Sequence, residues 1–238
     1  MKKQKQKTKI KFNLFDYFWF AAGIVVSIIA PFIDHEHTPL YIVLDIIALN
    51  SAILAEIISA KGHRICYIFS VISAITYGLV AWMNGFYGGA AINIFFFVPV
   101  GLIGFYLWGK NSNKKKEVIA RRLSLTQIII LTSAIAVSSV GLKLVLEHFG
   151  DSSTLLDSIS TVIVPVASIL SILRYRETWV LWFISDILIL VMWSGSTDLP
   201  IIVQRIYYPI VAIYGFISWK KLLKKSNRPR PLAKNSKK

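Results

Sequence analysis

Residues 39–83 read PLYIVLDIIALNSAILAEIISA-KGHR-ICYIFSVISAITYGLVAWM. Two apolar stretches of about 20 residues flank a short turn that carries Lys61 and Arg64. About 20 apolar residues in a helix cross a bilayer core about 30 Å thick, so each stretch predicts one crossing. The segment therefore predicts two antiparallel transmembrane helices joined by a basic turn.

The same pattern recurs along the whole chain of 238 residues, of which 55% are apolar and only 16% charged. Such long runs exclude the ten-residue alternating strands of a membrane barrel. The sequence predicts an all-α polytopic membrane protein with about eight transmembrane helices. Their expected bounds are Leu14–Ile33, Pro39–Ala60, Ile65–Met83, Ala90–Trp108, Ser124–Glu147, Thr154–Leu173, Thr178–Ser194 and Pro200–Trp219.

The 27 Lys and Arg residues are confined to alternate connections and to both ends of the chain, apart from Lys143 and Arg205. By the positive-inside rule, this places both termini in the cytoplasm and the protein in the cytoplasmic membrane. Although the net charge is +15, this placement indicates contact with anionic lipid and argues against nucleic acid as a partner. The single cysteine excludes an internal disulfide. No nucleotide-binding or hydrolase motif is present, so we do not expect an enzyme.

Two parts of the chain resemble each other at a spacing of 111 to 112 residues. The matched pairs are Asp45 and Asp157, Arg64 and Arg176, Trp82 and Trp193, Asn93 and Gln204, Gly104 and Gly215, and Trp108 and Trp219. They predict two three-helix repeats, 39–108 and 154–219, joined by a cytoplasmic connection and linker helix at 109–153. A basic tail and an extra helix (1–38) precede them, and a basic tail (220–238) follows. One intervening helix makes the repeats parallel, as in some transporters.

Trp179, Trp182 and Asp186 lie one turn apart on one face of the seventh segment. Two indoles and a carboxylate at this spacing could hold a flat aromatic or cationic ligand. Alternatives remain: the tryptophans could belong to an interfacial belt, and Asp186 could hydrogen-bond a neighbouring helix.

Amides stand at equivalent places in the two repeats, at Asn93 and Gln204, and Tyr208 lies one turn from Gln204. Amides offer donors and acceptors to a carboxamide or a ribose, but they also join helices in membranes. Glu56 is expected to pair with Lys61 or Arg64. The DHEH loop at 34–37 is weak support for a metal, and neither a metal nor a cofactor is expected.

The stretches RETWVLWFISD (176–186) and GFYGGAAIN (85–93), with the Gly-x-x-x-Trp ending of both repeats, resemble the PnuC family of vitamin transporters. The resemblance covers about residues 40–220. It implies a SWEET-like 3+1+3 core after an additional N-terminal helix. It also implies that Trp179, Trp182, Asn93 and Gln204 line the substrate site, and that a homotrimer forms.

The resemblance further implies import of nicotinamide riboside by facilitated diffusion, with a separate cytosolic kinase that traps the product. Thiamine, riboflavin or deoxynucleosides are alternative substrates within the same fold. A membrane-embedded enzyme acting on lipids or isoprenoids, and a receptor without transport, are alternatives from other classes. The basic connections, which are nearly free of Asp, argue against the enzyme, and the matched polar positions argue against the receptor.

Overall fold

The computed structural model describes residues 10–33, 38–148, 155–192 and 199–226; within them, the side chains at 29–33 and 199–206 are not described. The described residues form eight helices. These are α1 (Leu14–Ile33), α2 (Pro39–Ala60), α3 (Cys66–Met83), α4 (Tyr87–Lys110), α5 (Leu125–His148), α6 (Leu155–Ile172), α7 (Thr178–Met192) and α8 (Leu199–Ser226). Helices α2 to α6 are long and apolar enough to cross a membrane, while Leu14–Ile28 and α7 are shorter apolar helices.

Most helix ends agree with the sequence prediction to within a residue because local capping signals define them. The Thr38 side chain accepts a hydrogen bond from the Tyr41 N–H, and Pro39 occupies the first turn of α2. At the start of α1, Asn13 and Asp16 each accept a hydrogen bond from the other's backbone N–H. This reciprocal arrangement is a capping box, which satisfies two otherwise unpaired donors.

Two helices are longer than predicted. Helix α4 begins at Tyr87 rather than Ala90 and contains a π-helical turn at Asn93–Phe97. Helix α8 was predicted to end at Trp219 but continues to Ser226. The extension is stabilised at its far end, where Leu222 is buried and the Lys225 ammonium lies 3.2 Å from Glu117.

Helix contacts connect the two predicted repeats in a reciprocal way. Helix α2 packs on α3, and α7 packs on both α6 and α8. Helix α2 also contacts α8, and α4 also contacts α6, so the first helix of each group meets the third helix of the other. Helix α1 packs on α2 and α8, whereas α5 packs on α6.

The turns after α2 and α6 and the connection 111–123 lie together at one end of the bundle, called the basic end below. The connection bridges both turns: the Val118 N–H donates to the Gly62 carbonyl at 2.7 Å, and the Arg121 N–H donates to the Arg174 carbonyl at 2.7 Å. Gly62 and Arg174 both have a positive φ, of 71° and 70°. Such a backbone favours glycine, so Arg174 adopts it at a cost that the extra hydrogen bonds offset.

The core is densest at this basic end, where Trp108 and Trp219 are fully buried and their rings lie 5.5 Å apart. Each indole N–H donates to a backbone carbonyl of the other three-helix group. Trp108 bonds Ser171 at 3.0 Å, and Trp219 bonds Ser59 at 2.9 Å. Because a buried indole N–H is costly to leave unpaired, these two bonds stabilise the contact between the groups.

Candidate substrate site

Trp179 lies deep in the packed core at the basic end. A Cβ atom added at Gly215 would lie 2.3 Å from its ring, and the ring meets Trp219 edge to face with centroids 6.1 Å apart. Trp179 is only 5% exposed, and its Nε1 has no hydrogen-bond partner among the described residues. One face of this indole is therefore already covered by helix α8.

Trp182 occupies a different environment one turn further along α7. It is only partly buried and packs against both hydrophobic clusters, one containing Trp179 and the other containing Ile163 and Leu181. A side chain between two clusters can contact a ligand that lies between the helix groups. Of the two tryptophans, Trp182 has the more open surroundings for stacking.

Asp186 continues the same face of α7 and is buried. Its carboxylate lies close enough to that of Glu56 on α2 for the two charges to interact. Sequence reasoning had assigned Glu56 to an ion pair with Lys61 or Arg64, and this prediction is wrong. Lys61 bonds Asp16 instead, at 2.6 Å, while the Arg64 guanidinium lies 4.6 Å from the Phe105 ring centroid.

Tyr207 is a second residue that sequence reasoning missed. Its phenol interacts with the Glu56 carboxylate, and both the Tyr207 hydroxyl and the Glu56 Oε2 are buried without a hydrogen-bond partner in the described part of the chain. The signal in the sequence was the polar pair Tyr207-Tyr208 in an apolar helix, of which only Tyr208 was selected. The unpaired atoms mark a polar region between α2, α7 and α8.

Asn93 lies at the start of the π-helical turn of α4. Its side-chain nitrogen donates to the Gly89 carbonyl at 2.9 Å, and its Cβ faces Gly78 on α3. The Val98 N–H bonds the Asn93 carbonyl, five residues back, and Pro99 has no N–H with which to continue a regular ladder. Such π-helical turns occur often at functional sites.

Tyr208 lies away from Asn93, beside a small cavity between α1, α2 and α8. The cavity has a volume of about 20 Å³, which is room for one water molecule, and Ser27, Leu49 and Ile53 also line it. Gln204 falls within α8, but its side chain is outside the described residues. The structure thus groups Trp182 and Asp186 with Glu56 and Tyr207, and places Asn93 and Tyr208 against other neighbours.

The basic end carries a buried ionic network that holds α1. Asp16 is 1% exposed and accepts hydrogen bonds from Lys61 and from the Tyr214 hydroxyl, the latter at 2.9 Å. Burial alone would lower the pKa of Lys61, but the hydrogen bonds to Asp16 and Tyr214 raise it overall. In the adjacent turn, burial lowers the pKa of His63. Lys61 is therefore charged at neutral pH, and His63 is neutral.

A metal site is not apparent in the described ranges, where no three His, Cys, Asp or Glu side chains are grouped to hold an ion. The DHEH loop at 34–37 lies outside these ranges. Cys66, the one cysteine of the chain, is a buried free thiol.

Comparison with known proteins is consistent with these features. The model of the family described as "Nicotinamide mononucleotide transporter" matches residues 42–221. The chain belongs to this family. A nicotinamide riboside transporter PnuC of Neisseria mucosa is 33% identical over 193 residues, which cover 75% of this chain and 72% of that protein. A nicotinamide riboside transporter PnuC of Haemophilus influenzae is 32% identical, over 90% of this chain and 92% of its own.

A solved structure shows the same fold. It is titled "Crystal structure of the Vitamin B3 transporter PnuC", has a TM-score of 0.74 and 28% identity, and covers 91% of this chain and 95% of that one. The resemblance inferred from the sequence is therefore confirmed. The family is one of transporters, which also confirms that the chain is not an enzyme and removes the lipid-processing alternative.

Proposed function

We propose that this protein imports nicotinamide riboside across the cytoplasmic membrane by facilitated diffusion. The main support is the identity of 32% to a nicotinamide riboside transporter over nearly the full length of both chains. Family models describe a mononucleotide as cargo, but a phosphate needs cationic groups, and the described interior around Asp186 contains carboxylates instead. The riboside is the better match.

In this proposal the substrate binds between the three-helix groups. Trp182 stacks on the pyridine ring, with Trp179 behind it, while Asn93, Gln204 and Tyr208 provide hydrogen bonds to the carboxamide and ribose. Asp186 interacts with the positive ring or the hydroxyls. Rocking of one group against the other then opens the site to the other side.

The architecture proposed for this motion is eight crossings, with α1 before a SWEET-like 3+1+3 core and both termini in the cytoplasm. The reciprocal bonds of Trp108 and Trp219 support two related units. Attaching a reporter enzyme or a fluorescent protein to each terminus would test the orientation. A homotrimer is part of the proposal, and mass measurement in lipid nanodiscs would distinguish it from a monomer.

Binding and flux should be measured on purified protein in parallel. Calorimetry with nicotinamide riboside, nicotinamide mononucleotide, thiamine, riboflavin and deoxynucleosides identifies the ligand, and proteoliposomes report uptake. We expect saturable riboside uptake that is lost in Trp182→Ala and unaffected by collapsing the proton gradient. Binding without flux would favour the receptor, and tight binding of another vitamin would replace the cargo.

Trapping by a cytosolic kinase is a further part of the proposal. A facilitated carrier cannot accumulate its substrate, so net import requires a reaction that consumes the free riboside. Liposomes loaded with a riboside kinase and ATP should accumulate label beyond the external concentration. Liposomes without the kinase should stop at equal concentrations on both sides.

A further inference from the structure

Glu56 is the described carboxylate whose environment the proposed mechanism leaves unexplained. It lies on α2, one turn before the basic end, and its side chain is partly buried. Its Oε2 has almost no contact with solvent and no hydrogen-bond partner in the described residues. An ionised carboxylate in such surroundings is costly unless a cation or several donors compensate it.

The nearest charged group does not compensate Glu56. Asp186 on α7 carries the same charge and repels it. The Tyr207 phenol on α8 approaches from a third helix, with a buried hydroxyl that also lacks a partner. Three helices therefore direct oxygen atoms, and no amine, towards one region.

Nearby cations are held by other groups. Lys61 is bonded to Asp16 and Tyr214. The Arg64 guanidinium lies over Phe105, and that of Arg176 lies over Phe216 and bonds Glu177. In the part of the chain that the structure describes, no ion pair of Glu56 is found.

We propose that Glu56, together with Asp186, is the determinant that selects a cationic ring over a neutral one in the transported nucleoside. The inference rests on the proposed function. Nicotinamide riboside is an N-substituted pyridinium, so its ring carries a permanent delocalised charge. Trp182, one turn from Asp186 on the same face, can stack on a flat cation of this kind while the carboxylates balance its charge.

A charge-matched pair of ligands tests this proposal directly. Reduced nicotinamide riboside has the same ribose and carboxamide but a neutral dihydropyridine ring. We expect wild-type protein to bind the cationic form at least tenfold more tightly than the neutral form. Glu56→Gln should lose about tenfold in affinity for the cation while it keeps its affinity for the neutral form, because the glutamine amide has the same shape without the charge.

Two further variants complete the calorimetric experiment. Asp186→Asn should reduce the same preference, and it carries the test if Glu56→Gln does not insert into the membrane. Glu147→Gln is the matched control, because Glu147 is an exposed carboxylate on α5 paired with Lys143. This control should bind both ligands as the wild type does.

The outcomes separate the two claims. Wild-type protein that fails to bind nicotinamide riboside overturns the proposed function, and this inference with it. Wild-type binding with the same preference in Glu56→Gln and Asp186→Asn overturns this inference alone. An equal loss for both ligands would also overturn it, since that pattern indicates a damaged site rather than a missing charge.

Discussion

The two three-helix groups make the same contacts at the basic end and different contacts further into the bundle. At the basic end, Gly104 is closed over by the Tyr67 ring and Gly215 by the Trp179 ring. The arginines that follow α2 and α6 each lie 4.6 Å from a phenylalanine ring of their own group. Contacts that recur at a spacing of 111 to 112 residues mark a shared scaffold.

The difference begins one turn away. Glu56 in the first group corresponds to Ser168 in the second, 112 residues later. The Ser168 hydroxyl donates to the Val164 carbonyl at 2.9 Å, whereas the Glu56 Oε2 has no partner in the described residues. Tyr67 hydroxyl and Ser171 lie 3.3 Å apart, but Trp179, at the corresponding place, leaves its Nε1 unpaired. The groups thus differ where a ligand without two-fold symmetry would bind.

The flanking helices provide the strongest test of the comparison, since only the first group is fastened to α1 by a buried ion pair. Asp16→Asn should lower the free energy of unfolding by about 3 kcal/mol, because it leaves the mostly buried Lys61 ammonium without its counter-charge. Thermal unfolding followed with a thiol-reactive dye would report it, since Cys66 is the only thiol and lies buried in α3.

Its control is the exposed pair on α5, beside the second group. Glu147→Gln removes an i,i+4 pair with Lys143 and should change stability by less than about 0.5 kcal/mol. Restoring stability in Asp16→Asn by adding Lys61→Met would show that the unpaired charge, and not lost packing, causes the effect. Equal losses at the two pairs would contradict this account.

The two glycines give a prediction of intermediate size. Alanine at Gly104 or Gly215 would place a methyl group 2.4 or 2.3 Å from a packed ring, so the rings or helices must move. Each substitution should cost about 1 to 3 kcal/mol in unfolding free energy. Gly141→Ala on α5 is the matched control, because nothing lies within 4 Å of its added Cβ. Similar losses at the first two positions, and none at the third, are expected.

The indole hydrogen bonds give a smaller effect. Trp108→Phe and Trp219→Phe keep an aromatic ring but leave the Ser171 and Ser59 carbonyls without that donor. Each should cost about 1 to 2 kcal/mol, and by similar amounts if the groups are equivalent. Thermal unfolding of the two variants compared side by side would reveal a difference. Unequal losses would show that the two contacts carry different loads despite their matching geometry.

Helix number and most helix ends were predictable from the sequence because apolar length and capping residues are local signals. The end of α8 was not, since Leu222 and Lys225 extend the helix through contacts with the connection 111–123. The pairing of Glu56 was predicted wrongly for a related reason. Lys61 is near Glu56 in the chain, but Asp16 reaches it from α1, and no local pattern reveals which helix arrives there.

The candidate site was predictable only in part. Spacing on one helix identified the shared face of Trp182 and Asp186. Distances between helices decide the rest, which is why Tyr207 was missed although it meets Glu56. Spacing also could not separate Trp179 from Trp182, because the contact that covers Trp179 comes from Gly215 on another helix.

The smallest effect concerns pH, and it too distinguishes the two groups. His63 and Tyr175 occupy corresponding places in the two basic turns, and only His63 titrates near neutrality. Burial lowers the pKa of His63, although Glu117 opposes this and Lys116 adds to it. Its neutral form is thus favoured in the folded state, while the unfolded chain takes up a proton at about pH 6.5.

Stability should therefore be highest above about pH 6.5 and decline as the pH falls below it, since the unfolded state then binds more protons. His63→Gln should flatten this decline, as glutamine is polar and does not titrate. Unfolding temperatures measured by tryptophan fluorescence between pH 5 and pH 8 would check it. A decline that persists unchanged in His63→Gln would assign the acid sensitivity to another group, and the first turn would then match its counterpart at Tyr175 in this respect as well.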